Sequence, residues 1–125
     1  MDFEKDKLIE LKSKFESIVN TEEKEKVEFW YARDLQIQLG YKRWENFIET
    51  IKKAIKSCEN AGITVSDHFR EVTKMIKLAK GAQRKVQDYM LTRYACYLIA
   101  QNGDSKKQEI AFAQTYFAVQ TRKQE

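Results

Sequence analysis

Four glycines divide this chain into its structural segments, and the chain contains no proline. They are Gly40, Gly62, Gly81 and Gly103, and each lies between two segments with regularly patterned apolar residues. Glycine at such a position allows a positive φ or ends a helix. We therefore interpret the glycines as boundaries and consider the segments between them one by one.

Helical periodicity is present in five segments, whose apolar residues recur at the spacing of one helix face. These segments are residues 3–18, 33–39, 42–61, 92–102 and 106 to about 122. The first lies within an expected accessory segment, residues 1–20, and the polar residues 20–26 should follow it as a linker or an exposed turn. Residues 92–102 are apolar on nearly all sides, which predicts a buried central helix.

Strand signals occur in two places. Val27–Tyr31 (VEFWY) is short and rich in strand-forming residues, which predicts a strand. Residues 69–90 could form a helix or a β-hairpin, and we favour the hairpin because Gly81 would weaken a helix at its middle. The predicted fold class is α+β, mainly helical, with about five helices, a short strand and a hairpin that together form a small antiparallel sheet.

The positive charge of the chain is concentrated in residues 72–87. The chain has 23 Lys and Arg against 19 Asp and Glu, a net charge of +4, and without this stretch 18 bases face 19 acids. A local basic segment around a glycine turn is typical of a phosphate-binding surface. The alternative is a charged strand edge that prevents pairing with other strands. The bases of this stretch are Lys74, Lys77, Lys80, Arg84 and Lys85.

If all five of these basic residues contacted DNA phosphates, log K would fall with log salt at a slope of about −4.5.

A second candidate contact is formed by Lys42 and Arg43, in the first turns of the predicted 42–61 helix. A recognition helix would place such residues against DNA. Glu45 and Glu49 would repel phosphate, so an ordinary solvated helix face is the competing interpretation.

Three further side chains have open assignments. Arg33 could reach a phosphate or pair with Asp34, although a structural role is favoured. Arg93 could form a buried ion pair with an acid such as Asp88. Tyr41 lies beside a glycine turn and two basic residues, so it could be exposed for stacking on a nucleobase. Core packing accounts better for the aromatic cluster around it.

Catalysis is not expected from this chain. Nucleophile, base and oxyanion donor do not occur together, and the sequence has neither a GxGxxG loop nor a Walker-type loop.

Cys58 and Cys96 lie in apolar patterns and should be buried free thiols. With a single histidine and no CxxC motif, neither a metal nor a cofactor is expected. No apolar run approaches the length of about 20 residues that spans a bilayer, and no signal peptide is evident, so a cytoplasmic location is expected.

The last helical segment is more apolar than the surface of a small domain requires. Its residues Phe112, Tyr116 and Val119 could form an interface with a second copy or with a DNA-repair protein. A protein–protein interaction module is therefore the alternative function. The chain ends on charged residues without a helix-stop signal, and we expect it to be the N-terminal module of a longer protein.

Several long strings carry a family resemblance. FWYARDLQIQLGYKRWENF, SDHF, KGAQRKVQDYMLTRYACYLIAQNGD and IAFAQTYFAVQTRKQE follow one another in this order. Together they resemble the DNA-damage-inducible protein D family, whose N-terminal region belongs to the BRO-N superfamily. The resemblance implies a BRO-N-like domain over residues 27–122, with a hairpin among helices. It also implies non-catalytic DNA binding in the bacterial SOS response to DNA damage, and a C-terminal region that is absent here.

Overall fold

The computed structural model describes residues 3–123, so residues 1 and 2 of the expected accessory segment and the last two residues lie outside it. The helices are α1 (Phe3–Ser17), α2 (Ala32–Gln38), α3 (Trp44–Asn60), α4 (Arg93–Gln101) and α5 (Gln108–Lys123). The strands are β1 (Asn20–Thr21), β2 (Glu28–Tyr31), β3 (Phe69–Lys77) and β4 (Gln83–Leu91). The predicted α+β class, with five helices and a small antiparallel sheet, is confirmed.

The sheet has the strand order β1-β2-β4-β3, and every pairing in it is antiparallel. Strands β3 and β4 form the predicted hairpin, which pairs continuously from Phe69 opposite Leu91 to Lys77 opposite Gln83. The pairing of β2 with β4 ends at Tyr31 opposite Met90, because the chain then turns into α2. The outer part of the hairpin therefore projects beyond β2 as a two-stranded ribbon.

Left-handed backbone closes the ribbon at its tip. Lys80 has φ of 63° and Gly81 has φ of 80°, within a short 3₁₀ turn over Ala79–Gly81. The N–H of Leu78 donates to the carbonyl of Ala82 at 2.7 Å across the base of this turn. Glycine accepts the left-handed conformation without strain, which explains Gly81 at this position.

Helix α4 lies at the centre of the fold, as its all-round apolarity predicts. Its residues Ala95, Cys96, Ile99 and Ala100 are fully buried. They belong to one core cluster that includes side chains of β2, α2, α3 and α5. The thiols of Cys58 and Cys96 are free and buried, as predicted.

Helix α1 is packed against the same core through Leu11 and Phe15. The Phe15 ring stacks on Phe112 and Tyr116 at centroid distances of 5.6 and 5.8 Å. It also meets the edge of Phe117 at 5.6 Å. The breadth of the apolar surface of α5 is thus partly explained by contacts within the chain.

The structure differs from the prediction at two element boundaries. Within residues 20–26, predicted to be a linker or an exposed turn, Asn20 and Thr21 pair with β2 as the short strand β1, and an exposed turn follows at residues 23–25. Helix α3 begins at Trp44 rather than at residue 42, so Lys42 and Arg43 lie in the loop before it. Lys42 and Arg43 therefore lack the helical geometry that residues of a recognition helix would have.

Candidate nucleic-acid interface

The ribbon has two faces of unequal exposure, because residues directly opposite on antiparallel strands point to the same side. We call the inner face the one that carries Val72, Lys74, Ile76, Arg84, Val86 and Asp88, of which only Arg84 is exposed. We call the other side the outer face, and its exposed residues are Glu71, Thr73, Met75, Lys77, Gln83, Lys85 and Gln87. Tyr89, opposite Glu71, lies on the same side at the protein end and is buried.

Asp88 anchors the base of the ribbon to α2. Its side chain is 0% exposed, and Oδ1 accepts from the backbone N–H of Arg33 at 3.0 Å and of Tyr89 at 2.8 Å. The Nε of Arg33 donates to the carbonyl of Gln87 at 2.7 Å. Together these bonds join the start of α2 to the edge of β4, where β2 no longer pairs.

Lys74 belongs to this anchor rather than to the free surface. Its Nζ lies 3.7 Å from Oδ2 of Asp88 and 4.0 Å from the centre of the Tyr31 ring. A buried carboxylate and an aromatic face both stabilise the ammonium group at this place. We therefore remove Lys74 from the set of candidate phosphate contacts.

The other four basic residues of the segment remain exposed near the tip. Lys77 and Lys85 lie on the outer face, Arg84 on the inner face, and Lys80 in the turn itself. None of the four forms an ion pair with a carboxylate among the residues that the structure describes. Positive charge is thus presented at one end of a projecting ribbon, without internal neutralisation.

Lys42 and Arg43 are exposed as well, but they belong to the loop between α2 and α3. The Nε of Arg43 lies 3.9 Å from a carboxylate oxygen of Glu45. Such a surface pair contributes little to stability and competes only weakly with another anion.

The two arginines with open assignments have partners that the sequence did not indicate. The guanidinium of Arg33 lies 4.2 Å from the centre of the Trp44 ring, and its Nε is bonded to β4 as described above, not to Asp34. Arg93 forms its ion pair with Glu28 and lies over the ring of Trp30. The suggested pairing of Arg93 with Asp88 is wrong, because Asp88 is bonded to α2 and Lys74.

The side chain of Tyr41 is half-buried rather than free for stacking. Its ring packs on Phe47 at a centroid distance of 4.9 Å, and its hydroxyl lies 3.2 Å from that of Thr50. Tyr41 therefore contributes to the packing of the α2–α3 loop on α3.

The three residues suggested as a partner interface differ in exposure. Phe112 and Tyr116 are half-buried and stacked on Phe15 of α1, whereas Val119 is 46% exposed. Only Val119 among them presents a largely open apolar surface.

An open cleft of about 370 Å³ lies at the other end of the sheet, where the β1–β2 connection faces the turn before β3. Acids and bases both line it, including Glu22, Glu25 and Arg70. His68 also lines it, with Nδ1 2.7 Å from the Thr92 hydroxyl. Burial lowers the pKa of His68, while nearby Asp67 acts in the opposite direction. Its hydrogen bond to Thr92 ties His68 to the start of α4.

The part of the chain that the structure describes has neither a candidate metal cluster nor a helix that could span a membrane. Within it, no group of three or more His, Cys, Asp or Glu side chains could hold a metal ion. Nor does any helix between residues 3 and 123 have the length and apolarity to cross a membrane.

Comparison with known proteins identifies the family. Residues 18–118 match the BRO family, N-terminal domain (Bro-N). This chain belongs to the Bro-N family. The predicted resemblance is confirmed, and the match begins immediately after α1 and includes the whole ribbon.

A curated relative of this Bro-N chain is DNA damage-inducible protein D of Escherichia coli (strain K12). The two are 50% identical over 98 residues, which cover 78% of this chain and 36% of the relative. The chain thus spans little more than a third of the relative's length. No solved structure gives a significant match.

Sequence reasoning located the ribbon and its charge but missed the anchor at its base. Asp88 was considered only as a partner of Arg93. The signal that could have indicated it is a single acid on a predicted strand whose neighbours on the same face, Val86 and Met90, are apolar. Such an acid is rarely buried unless it is paired.

Proposed function

We propose that this Bro-N chain is a non-catalytic DNA-binding module of a bacterial damage-response protein and acts in the cytoplasm. The observation that carries the proposal is a set of four exposed cations at the end of the projecting ribbon, which form no ion pair among the described residues. They are Lys77, Lys80, Arg84 and Lys85. The name of the relative, a DNA damage-inducible protein, supports the connection with the damage response.

Elementary electrostatics supports phosphate contact by these four residues. Each ammonium or guanidinium group that neutralises a phosphate releases condensed counterions from the polynucleotide. Four such contacts correspond to a slope of log K against log salt of about −3.6. This value replaces the −4.5 expected for five contacts, because Lys74 is held by Asp88.

Replacing the four residues by alanine tests the proposal. DNA binding should weaken to a similar extent for all sequences, and the salt slope should flatten by about 3.6, because the contacts are to the backbone. Fluorescence anisotropy with labelled DNA at several salt concentrations measures both quantities.

A matched control removes the same charge elsewhere. Lys24, Lys53, Lys56 and Lys106 are all exposed and lie outside the ribbon. Their replacement by alanine changes the net charge equally and should leave most of the affinity and slope intact. Equal losses in the two variants would show that only overall charge matters, and unchanged binding by the ribbon variant would contradict the proposal.

The alternative function is a protein–protein interaction module that uses α5, either for a homodimer or for a DNA-repair partner. The exposed side chain of Val119 favours it, because a large apolar residue on a helix surface can belong to an interface. Val119→Asp should then abolish self-association without unfolding the chain, as measured by sedimentation over a range of concentrations. A wild-type chain that is monomeric at every concentration would remove the dimer version of this alternative.

A further inference from the structure

The outer face of the ribbon differs from the rest of the basic segment in chemistry as well as exposure. Beyond Glu71 it presents three successive pairs across the strands, Thr73 with Gln87, Met75 with Lys85, and Lys77 with Gln83. These side chains offer two amides, a hydroxyl, a thioether and two ammonium groups, and all are exposed. A surface that served only to attract phosphate would need the cations alone.

We propose that this outer face reads base edges in the major groove of duplex DNA, with Gln83 and Met75 as specificity-determining residues. This inference rests on the DNA-binding function proposed above and adds its substrate class, double-stranded DNA of preferred sequence. The amide of Gln83 can bond two edge atoms of adenine, and the Met75 side chain can contact the thymine methyl group.

The dimensions of the ribbon agree with those of the groove. Neighbouring strands lie about 4.8 Å apart, and a major groove about 12 Å wide admits a two-stranded ribbon. The three pairs span about 14 Å along the strands, at about 3.4 Å per residue. This length corresponds to about four base pairs at 3.4 Å for each.

The electrostatic arrangement also agrees with this orientation. Lys77 and Lys85 flank the amide and the thioether, and their long side chains can reach phosphates on the groove walls. Glu71 is at the protein end of the face, where its carboxylate accepts from the amide of Gln87 at 3.0 Å. A negative charge there would repel the DNA backbone and so limits the contact to the outer three pairs.

Duplex DNA is favoured over single strands by what this face lacks. None of the six exposed residues beyond Glu71 on the outer face is aromatic, and Tyr89, opposite Glu71 at the protein end of this face, is buried. Proteins that hold unpaired bases stack them on aromatic side chains, and without such side chains a ribbon gains little from an unpaired base. Exposed amide and hydroxyl groups gain most from the fixed pattern of base edges in a groove.

Selection of binders from a duplex library with a randomised central segment tests the inference. The wild-type chain should enrich a sequence of about four base pairs. Gln83→Ala should lower discrimination at one of these pairs by roughly fivefold to 150-fold, while binding to unselected duplex stays unchanged. Lys80→Ala, which removes a charge from the turn, should weaken both kinds of duplex equally.

A second measurement addresses Met75. Replacing thymine by uracil in the selected site removes only the methyl group, and this should weaken binding of the wild type but not of Met75→Ala. Circular dichroism should show that every variant is folded, because the changed side chains are exposed.

The inference is overturned if the wild type binds all duplexes equally, if it prefers single strands, or if Gln83→Ala keeps the full sequence preference. In each of these cases the phosphate contacts of the proposed function stand. If the chain binds no DNA at all, the proposed function fails and this inference fails with it.

Discussion

At the residue scale, Asp88 decides which of the basic side chains are free. Its buried carboxylate accepts hydrogen bonds from two backbone N–H groups and lies beside Lys74. A buried charge is tolerated only where hydrogen bonds and an opposite charge compensate its lost hydration. The same contacts hold Lys74 at the base of the ribbon, so the free cations are those nearer the tip.

Replacing Asp88 should therefore be costly. Asp88→Ala leaves two N–H groups without their acceptor and Lys74 without its partner, so the free energy of unfolding should fall by about 2–4 kcal/mol. Urea denaturation followed by circular dichroism measures this quantity.

A surface acid provides the control for Asp88. Glu49→Ala breaks an exposed pair with Lys52 and should change the unfolding free energy by less than about 0.5 kcal/mol. If Asp88→Ala cost no more than Glu49→Ala, the proposed anchoring role of Asp88 would be untenable.

At the element scale, α1 is joined to the domain by a compact aromatic cluster. Phe15 is fully buried and touches three aromatic rings of α5. The Nε1 of Trp30 also lies 3.4 Å from the carbonyl of Phe15. The helix therefore covers apolar surface that would otherwise be open to solvent, although it precedes the region matched by the family.

Phe15→Ala should lower the free energy of unfolding by about 3–5 kcal/mol, because it removes a large buried ring and leaves a cavity between α1 and α5. Thermal or chemical denaturation measures the loss. Ser13→Ala, at an exposed position of the same helix, is the matched control and should be nearly neutral. A neutral Phe15→Ala would mean that α1 does not pack on the domain in solution.

At the scale of the whole molecule, His68 should make stability depend on pH. Because burial lowers its pKa in the folded chain, the unfolded chain binds the proton more readily. The stabilisation is complete above the unfolded pKa of about 6.5 and is lost as the pH falls below it. The charged residues that line the cleft with His68 are Glu22, Lys24, Glu25, Glu28, Asp67 and Arg70.

Urea denaturation at pH 7.5 and pH 5.5 compares the wild type with His68→Asn. The variant should lose less stability between these two values than the wild type does, since it has no imidazole to protonate. Carboxylates common to both proteins cancel in this comparison. An equal loss in both would show that His68 does not contribute to the pH dependence.

Much of the architecture was predictable from the sequence because it depends on neighbouring residues. Apolar spacing and the glycines indicated the helices, and Gly81 at the middle of residues 69–90 indicated the hairpin. The local charge of residues 72–87 also follows from the sequence alone. The differences concern positions that lack such a signal, namely the pairing of Asn20 and Thr21 with β2 and the start of α3 at Trp44.

Tertiary structure alone decided which basic residues of the ribbon are free of carboxylate partners and which face of the ribbon is exposed. Arg33 and Asp88 are 55 residues apart, and their contact depends on where β2 ends against β4. The register of β3 on β4 then places Lys74 beside Asp88 and sets the exposed pairs of the outer face. The periodicity of apolar residues reflects only positions that are close together in the sequence. The contacts of Asp88 form between segments that are far apart in the sequence and together compensate its buried charge.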